Sequence, residues 1–221
     1  MYYEMYGSGH PLVLIAGLNG DHSMFRLFIS DLAKKYRVIV FDNRGIGQTD
    51  KPDIPYSISM MADDMVGLLQ ALDVTNPYIL GVSMGGKIAL DAAIRYPNVV
   101  AKLVLVSTGP RIARAKRLSF SRRMMYFSLK LPFIRGDNPY YSIARQRDAS
   151  AEYDSSGLIH NITAPTLIIH GLRDKLAKYS IAQEMHAAIQ DSQMVTLPGG
   201  HLAFFAQPKI FLSSVTQFLG A

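Results

Sequence analysis

The sequence predicts an α/β fold, in which a mostly parallel, doubly wound sheet carries helices on both faces. Short aliphatic runs alternate along the chain with segments whose apolar residues recur at helical spacing. Five of the six runs are apolar at consecutive positions, as in parallel strands that helices cover on both sides. With 221 residues, 49% of them hydrophobic, the chain suits a single domain over 1–221 with one sizeable core.

Six strands and five helices follow from these patterns. The predicted strands are PLVLIAG (11–17), YRVIVFD (36–42), PYILGVS (77–83), AKLVLVST (101–108), APTLIIHG (164–171) and SQMVTLPGG (192–200). The predicted helices are MFRLFISDLAKK (24–35), MADDMVGLLQALD (61–73), GGKIALDAAIRY (85–96), SIAQEMHAAIQ (180–190) and IFLSSVTQFL (210–219).

Residues 109–160 break the alternation and are predicted to form a helical cap inserted after the fourth strand, over the carboxyl ends of the sheet. A solvated basic face on an amphipathic helix is one interpretation of its early charge. The other is a landing surface for an acidic acyl carrier, a fatty carboxylate or an anionic lipid surface, with flexible apolar side chains lining an acyl site. The basic residues are Arg111, Arg114, Lys116, Arg117, Arg122 and Arg123, and the apolar ones are Met124, Met125, Tyr126 and Phe127.

Composition restricts the other functional classes. The longest apolar run, LVLIA at 12–16, is far shorter than a transmembrane helix, and the first residues lack the features of a signal peptide, so a cytoplasmic protein is expected. Without cysteine there is no disulfide, thiolate nucleophile or cysteine metal site. The net charge of +6 favours acidic partners. No nucleic-acid recognition motif accompanies the charge, so nucleic acid is not expected to bind.

The stretch ILGVSMGGKIAL, residues 79–90, fits two chemistries. A phosphate-binding P-loop needs a Ser or Thr hydroxyl after its lysine to hold magnesium, and here Ile88 follows Lys87. A nucleophile elbow needs a strand that ends at the serine, small flanking residues and a helix that starts just after it. Ser83 between Gly81 and Gly85 meets these requirements, although a glycine-rich turn without a catalytic role would read the same.

The partners that a serine nucleophile needs follow in the required order. Asp174 comes after the fifth predicted strand and His201 after the sixth, so acid and then base lie at carboxyl ends of strands. Asp174 alone could be a helix cap or turn former, and His170 is interpreted as structural. The backbone amides of Met84 and Leu18 are the candidate oxyanion donors, with an ordinary Gly-x-Asn-Gly turn as the alternative at Leu18.

Four motifs in this order resemble the α/β-hydrolase fold family over nearly the whole chain outside the insertion. They are FDNRGIGQTDKP, the elbow GVSMGGKIAL, the acid strand APTLIIHGLRD and the histidine loop LPGGHLAFFAQP. The resemblance implies Ser83 as nucleophile, Asp174 as acid, His201 as base and the Leu18 and Met84 amides as oxyanion hole. It implies structural roles for Asp42 and Arg44 and neither a metal nor an organic cofactor. A serine nucleophile argues against the dehalogenase and epoxide-hydrolase branches.

Four departures from the family pattern carry expectations of their own. Ala16-Gly17 stands where His-Gly is usual, which removes a side chain that commonly braces the oxyanion loop. Lys178 stands where proline is common, which predicts a looser acid loop. The chain opens directly in what would be the family's second strand, which leaves a sheet edge to be covered. The cap of about 50 residues is short for the family, which predicts a relatively open pocket.

The sequence therefore predicts a serine hydrolase that cleaves carboxylic esters of small to medium acyl chains through an acyl-enzyme. A lactonase, a thioesterase or an acyl-carrier-linked ester hydrolase remains open, because pocket walls rather than triad residues select substrates. A scaffold of the same fold that only binds a small apolar ligand is the alternative from another class.

Overall fold

Seven strands form one sheet flanked by helices in residues 1–112 and 137–220, which this computed structural model describes. The strands are β1 Tyr3–Tyr6, β2 His10–Ile15, β3 Tyr36–Phe41, β4 Tyr78–Val82, β5 Lys102–Val106, β6 Thr166–Gly171 and β7 Ser192–Leu197. The helices are α1 Arg26–Leu32, α2 Ile58–Ala71, α3 Met84–Arg95, α4 Tyr140–Glu152, α5 Tyr179–Ala188, α6 Ala203–Ala206 and α7 Pro208–Gly220. Short 3-10 turns lie at His22–Phe25 and Ile159–Asn161.

The strand order is β1-β3-β2-β4-β5-β6-β7, and every neighbouring pair except β1 with β3 is parallel. This confirms the predicted doubly wound α/β architecture and all six predicted strands to within a few residues at their ends. The assignment from apolar runs did not include β1, a mostly exposed edge strand of four residues, whereas the family resemblance placed a strand at the start of the chain. Its sequence, YEMY, shows neither a continuous apolar run nor strict alternation of apolar and polar residues.

Side chains on successive strand residues point alternately into two apolar layers. Leu12 and Leu14 pack with α1, α6 and α7, whereas Val13 and Ile15 pack with α2, α3 and α5. All four are fully buried, so β2 is apolar on both faces. The sheet is thereby fixed between two helical layers, and the carboxyl ends of its parallel strands meet at one edge.

The chain changes direction across the sheet between β2 and β4. It runs outward from β2 to β3, then returns to place β4 on the other side of β2 and continues to β7. The loops after β2 and β4 therefore separate and leave a crevice between them, which is where open α/β sheets bind ligands. Leu18 follows β2 and Ser83 follows β4, so both predicted site residues lie at this crevice.

Helix α4 is the best described part of the predicted insertion, and it lies over the carboxyl ends of the strands. The fully buried Gln146 accepts a hydrogen bond from the Asn19 amide at 3.3 Å and donates to the Arg44 carbonyl at 3.0 Å. Asn138 accepts from the Gly47 amide at 2.9 Å. These contacts tie α4 to the loops after β2 and β3.

The first part of the insertion, residues 113–136, lies outside the described residues. It contains the predicted acyl-site residues and five of the six basic residues singled out above, namely Met124, Met125, Tyr126, Phe127, Arg114, Lys116, Arg117, Arg122 and Arg123. The boundaries 109–160 of the cap and the basic landing surface therefore stay predictions. Arg111 is described and lies half-buried beside the crevice.

The described helices are short compared with the thickness of a bilayer. The longest, α2, has 14 residues, whereas a membrane-spanning helix needs about 20. Within residues 1–112 and 137–220, no helix combines the length and the apolar character that crossing a membrane requires.

An aromatic cluster joins α1, α6 and α7 on one face of the sheet, and its loss should be costly. The Phe28 ring is fully buried and lies 4.7 Å from Phe211 and 5.6 Å from Phe205, between ring centroids. We expect Phe28→Ala to lower the free energy of unfolding by about 3–5 kcal/mol, because it leaves a cavity. Urea denaturation measures this change.

Leu27 on the same helix is the matched control, since its side chain is 55% exposed. Leu27→Ala should change the free energy of unfolding by no more than about 0.5 kcal/mol. Equal effects of the two substitutions would contradict the assignment of Phe28 to the core.

Candidate active site

Ser83 occupies the sharp turn between β4 and α3. Its backbone has φ 54° and ψ −113°, a left-handed conformation that side-chain-bearing residues adopt at a cost in free energy. Two hydrogen bonds hold it there: the Ser83 amide donates to the Val106 carbonyl at 2.9 Å, and the Thr108 hydroxyl donates to the Ser83 carbonyl at 2.6 Å. The strained turn lifts the Ser83 side chain out of the sheet and into the crevice.

The two glycines that flank Ser83 allow α3 to approach the sheet closely. A Cβ atom on Gly81 would collide with the Gly85 carbonyl oxygen, and one on Gly85 would collide with the carbonyl oxygens of Ile15 and Ala16. Only glycine avoids both collisions without moving the helix. The motif therefore requires small residues at these positions, because larger ones would collide with backbone atoms.

The structure brings together the three side chains that the sequence nominated from separate loops. His201 Nε2 lies 3.0 Å from Ser83 Oγ, and His201 Nδ1 lies 2.8 Å from Asp174 Oδ2. The Asp174 side chain is fully buried, and that of His201 is 17% exposed. A carboxylate only accepts hydrogen bonds, so Nδ1 carries the proton and Nε2 is left to accept the serine hydroxyl. This arrangement can remove a proton from Ser83 as its oxygen attacks an electrophile.

Asp174 also stabilises its own loop. Its Oδ1 atom accepts hydrogen bonds from the amides of Leu176 at 2.8 Å and Ala177 at 3.0 Å, so the turn-forming role considered from the sequence coexists with the contact to His201. Lys178 has φ −61°, a value that proline would also adopt. The backbone at this position is therefore compatible with a proline, and the looser acid loop expected from Lys178 stays a prediction.

His170 is a fully buried histidine beside the acid, in agreement with its predicted structural role. Its Nε2 atom donates to the Ala177 carbonyl at 2.8 Å and lies 3.4 Å from Asp174 Oδ2. Its Nδ1 atom is buried and meets no hydrogen-bond partner among the described residues. Burial lowers the pKa of His170 below its ordinary value of 6.5, because the charged form loses its hydration. The neutral imidazole thus fastens the acid loop.

The amides proposed as oxyanion donors both lie at the crevice. Leu18 and Met84 line the same cavity as Ser83 and His201. Met84 begins α3, so its N–H has no partner within the helix, and the helix dipole adds positive potential there. Among residues 1–112 and 137–220, neither amide has a hydrogen-bond acceptor. Both are therefore available to an oxygen atom of a ligand.

The described walls of the cavity enclose about 80 Å³, room for roughly six water molecules. Its walls include side chains that sequence reasoning did not assign to the site: Lys87, Arg111, Ile112, Arg147, Ser150, Leu176 and Ala177. Lys87 was considered only as a P-loop lysine. Its spacing of four residues from Ser83, one helical turn, was the signal that could have placed it here.

The loop after β3 is held in place by buried hydrogen bonds and an ion pair. Asp42 is fully buried and accepts from the His22 ring at 2.8 Å and from the Gln48 amide at 2.8 Å, whereas Arg44 makes a two-bond ion pair with Asp64. Both keep the structural roles implied by the resemblance. Sequence reasoning missed His22 as the partner of Asp42, because 20 residues separate them.

Potential metal ligands occur once in the described residues, in the group Asp21, His22 and Asp42, whose ligand atoms lie within 4.8 Å of one another. Each of these side chains already makes hydrogen bonds. Asp42 accepts from His22, and Asp21 accepts from the Ser23 amide at 2.9 Å. These bonds account for the grouping of the three residues.

Comparison with known proteins assigns the chain to a family. The family model described as alpha/beta hydrolase fold matches residues 10–149, more than half of the sequence. The chain belongs to the α/β-hydrolase fold family, as the four sequence motifs predicted. The match includes the loops after β2 and β3 and the whole turn at Ser83.

Individual relatives are similar over almost their full length. The AB hydrolase superfamily protein YisY of Bacillus subtilis is 28% identical, with 99% of this chain and 94% of that protein covered. The esterase from Exiguobacterium antarcticum has a TM-score of 0.89 at 25% identity, with 100% and 95% covered. The enol-lactonase from Burkholderia xenovorans LB400 has a TM-score of 0.87 at 25% identity, with 100% and 96% covered. These neighbours include enzymes with different hydrolytic substrates.

The close approach of α3 to β2 can be tested with two glycine substitutions. Gly85→Ala should lower the free energy of unfolding by about 1–3 kcal/mol, because the added methyl group displaces α3 from the Ile15 carbonyl. Gly67→Ala is the control in the middle of α2, where nothing lies within 4 Å of the new methyl group. It should stabilise the protein by up to about 1 kcal/mol through helix propensity. Chemical denaturation of both variants measures the contrast, and equal shifts would contradict it.

The neutral state of His170 predicts a pH dependence of stability. The unfolded chain takes up a proton at this residue as the pH falls below 6.5, whereas the folded protein resists it until its lowered pKa is reached. Stability is therefore lost as the pH falls through this window. In His170→Gln, the loss between about pH 7.5 and 5.5 should be smaller than in wild type. Parallel curves of unfolding free energy against pH would show that His170 does not contribute.

Proposed function

We propose that this chain is a serine hydrolase that cleaves carboxylic esters of small to medium acyl chains. The observation that carries the proposal is the hydrogen-bonded series Ser83–His201–Asp174 at the edge of a partly apolar cavity. The backbone strain at Ser83 adds support, because strained conformations are concentrated at functional sites. The esterase and the lactonase among the neighbours are consistent with hydrolysis of an acyl–oxygen bond.

In the first half of the reaction, the Ser83 oxygen attacks the ester carbonyl carbon while His201 Nε2 accepts the hydroxyl proton. Asp174 stabilises the resulting imidazolium and holds its orientation. The amides of Leu18 and Met84 donate to the oxygen that becomes negative. The tetrahedral intermediate collapses, the bond to the alcohol breaks, and His201 returns its proton to the leaving oxygen, which leaves an acyl group on Ser83.

In the second half, a water molecule attacks the acyl carbon and gives a proton to His201. The bond to Ser83 breaks, the serine recovers its proton, and the acid product departs. Thioesters would react by the same steps with sulfur as the leaving atom, and lactones with a leaving oxygen that stays attached to the acyl group on Ser83. Cyclic esters are a natural second substrate class to test, because one of the structural neighbours is an enol-lactonase.

The assignment of Ser83 can be tested with p-nitrophenyl esters from acetate to decanoate. Ser83→Ala should reduce kcat at least about a thousandfold, because the acyl-enzyme can no longer form. Ser213→Ala, on the exposed side of α7, is the control and should retain wild-type rates. Release of p-nitrophenolate measures both, and a variant of Ser83 that retains its rate would require a different nucleophile.

Labelling with a fluorophosphonate probe separates the hydrolase from a scaffold that only binds ligands. An activated serine should form a covalent adduct at Ser83 that mass spectrometry locates, and the Ser83→Ala variant should remain unlabelled. Ester binding without turnover and without labelling would instead support the binding scaffold.

A further inference from the structure

Three cationic side chains line the cavity that contains Ser83. They are Lys87, Arg111 and Arg147. Among the described residues, no aspartate or glutamate lines this cavity. The wall beside the proposed nucleophile is therefore positively charged, in addition to the positive end of the α3 dipole.

Lys87 is the most unusual of the three. It is only 5% exposed, and apart from Asp91 the other buried residues of α3 are uncharged and apolar or small. The Lys87 amide lies 3.4 Å from the Ser83 carbonyl oxygen, so Lys87 follows the proposed nucleophile by one turn of the chain. A cation this close to a helix amino terminus opposes the helix dipole, and burial adds the cost of desolvation.

A hydrogen bond within the fold offsets part of the cost of burying Lys87. Its ammonium donates to the carbonyl of Ser150, in the last turn of α4, where helix carbonyls lack partners within the helix. This bond ties α4 to α3 across the cavity. A carbonyl has no net charge, so this hydrogen bond does not neutralise the ammonium.

The two arginines lie nearer the solvent. Arg111 contacts Glu184 at 2.6 Å and Arg147 contacts Asp148 at 2.7 Å. The arginine side chains are 30% and 29% exposed, whereas their carboxylate partners are 52% and 51% exposed. The carboxylates thus lie on the solvent side, where ion pairs are weak and readily exchanged. The arginines remain in the cavity wall near its mouth.

We propose that the ester cleaved at Ser83 carries a carboxylate, and that Lys87 is the residue that binds it. Arg111 and Arg147 attract the anionic substrate to the mouth of the cavity, since a cleft with charges of one sign concentrates the opposite ion. A carboxylate fits better than a neutral polar group, because a buried ammonium forms its strongest hydrogen bonds with an anion. This inference rests on the proposed hydrolase function and specifies its substrate class.

The test compares two ethyl esters of equal chain length, monoethyl glutarate and ethyl pentanoate, which differ by a carboxylate in place of a methyl group. Proton release in a pH-stat gives kcat/KM for each. Wild type should prefer the anionic ester, and Lys87→Gln should lower the ratio of the two kcat/KM values by about tenfold to a hundredfold, mainly through KM. Glutamine keeps a donor for Ser150 but removes the charge, whereas Lys87→Arg should retain the preference.

Lys102 provides the matched structural control at the opposite end of the sheet. Its ammonium donates to the Phe218 carbonyl at 3.0 Å in the last turn of α7, just as Lys87 does in α4, but it does not line the cavity. Lys102→Gln should leave the substrate ratio unchanged. An unchanged ratio in Lys87→Gln, or equal losses for both esters, would overturn the carboxylate site and leave a purely structural lysine.

Binding to the Ser83→Ala variant separates this inference from the proposed function. Calorimetric titration with monoethyl glutarate should show binding that weakens about tenfold when Lys87→Gln is added. That result supports the carboxylate site even if wild type cleaves neither ester, in which case only the hydrolase proposal fails. Equal affinity with and without Lys87 overturns the carboxylate site. If Lys87→Gln does not fold, Arg111→Gln should reduce the preference for the anionic ester in the pH-stat assay. An unchanged preference in that variant would count against the carboxylate site.

Discussion

The close packing of α3 against β2 and β4 is the constraint on which the rest of the site depends. Because Gly81 and Gly85 lack side chains, the helix begins directly beneath the turn, and Ser83 is held in a left-handed backbone conformation. The same packing fixes the Met84 amide at the helix start and Lys87 one turn later. A single steric requirement therefore sets the position of the hydroxyl, an amide donor and a charge.

The sheet topology brings distant residues to that turn. Each parallel strand after β4 ends at the same edge of the sheet, so the loops after β6 and β7 deliver Asp174 and His201 beside Ser83. The order of acid and histidine in the chain follows from the order of these strands. Asp174 then uses one oxygen for His201 and the other for its own loop.

The sequence predicted what depends on local pattern. Buried strands were visible as apolar runs, and the elbow, acid and histidine loops were visible as motifs in a fixed order. The exposed β1 was indicated only by the family resemblance, because YEMY shows neither a continuous apolar run nor strict alternation. The pairs His22–Asp42 and Gln146–Arg44 were missed because they join residues 20 and 102 positions apart, and Lys87 was assigned to a different chemistry. Side-chain contacts of that range depend on packing rather than on any pattern in the chain.

The distribution of charge around α3 has a consequence for the geometry of a substrate. In the proposed site, two places in the cavity would attract negative charge: the amides of Leu18 and Met84, and the ammonium of Lys87. A substrate carboxylate that entered the first would block the position needed by the reacting carbonyl. Ser83 and Lys87 line the same cavity, so the spacer between carboxylate and ester has to reach from the Ser83 hydroxyl to the Lys87 ammonium for both groups to occupy their own places. The length of that spacer, rather than the overall charge of the molecule, then decides which carboxylate-bearing esters can react.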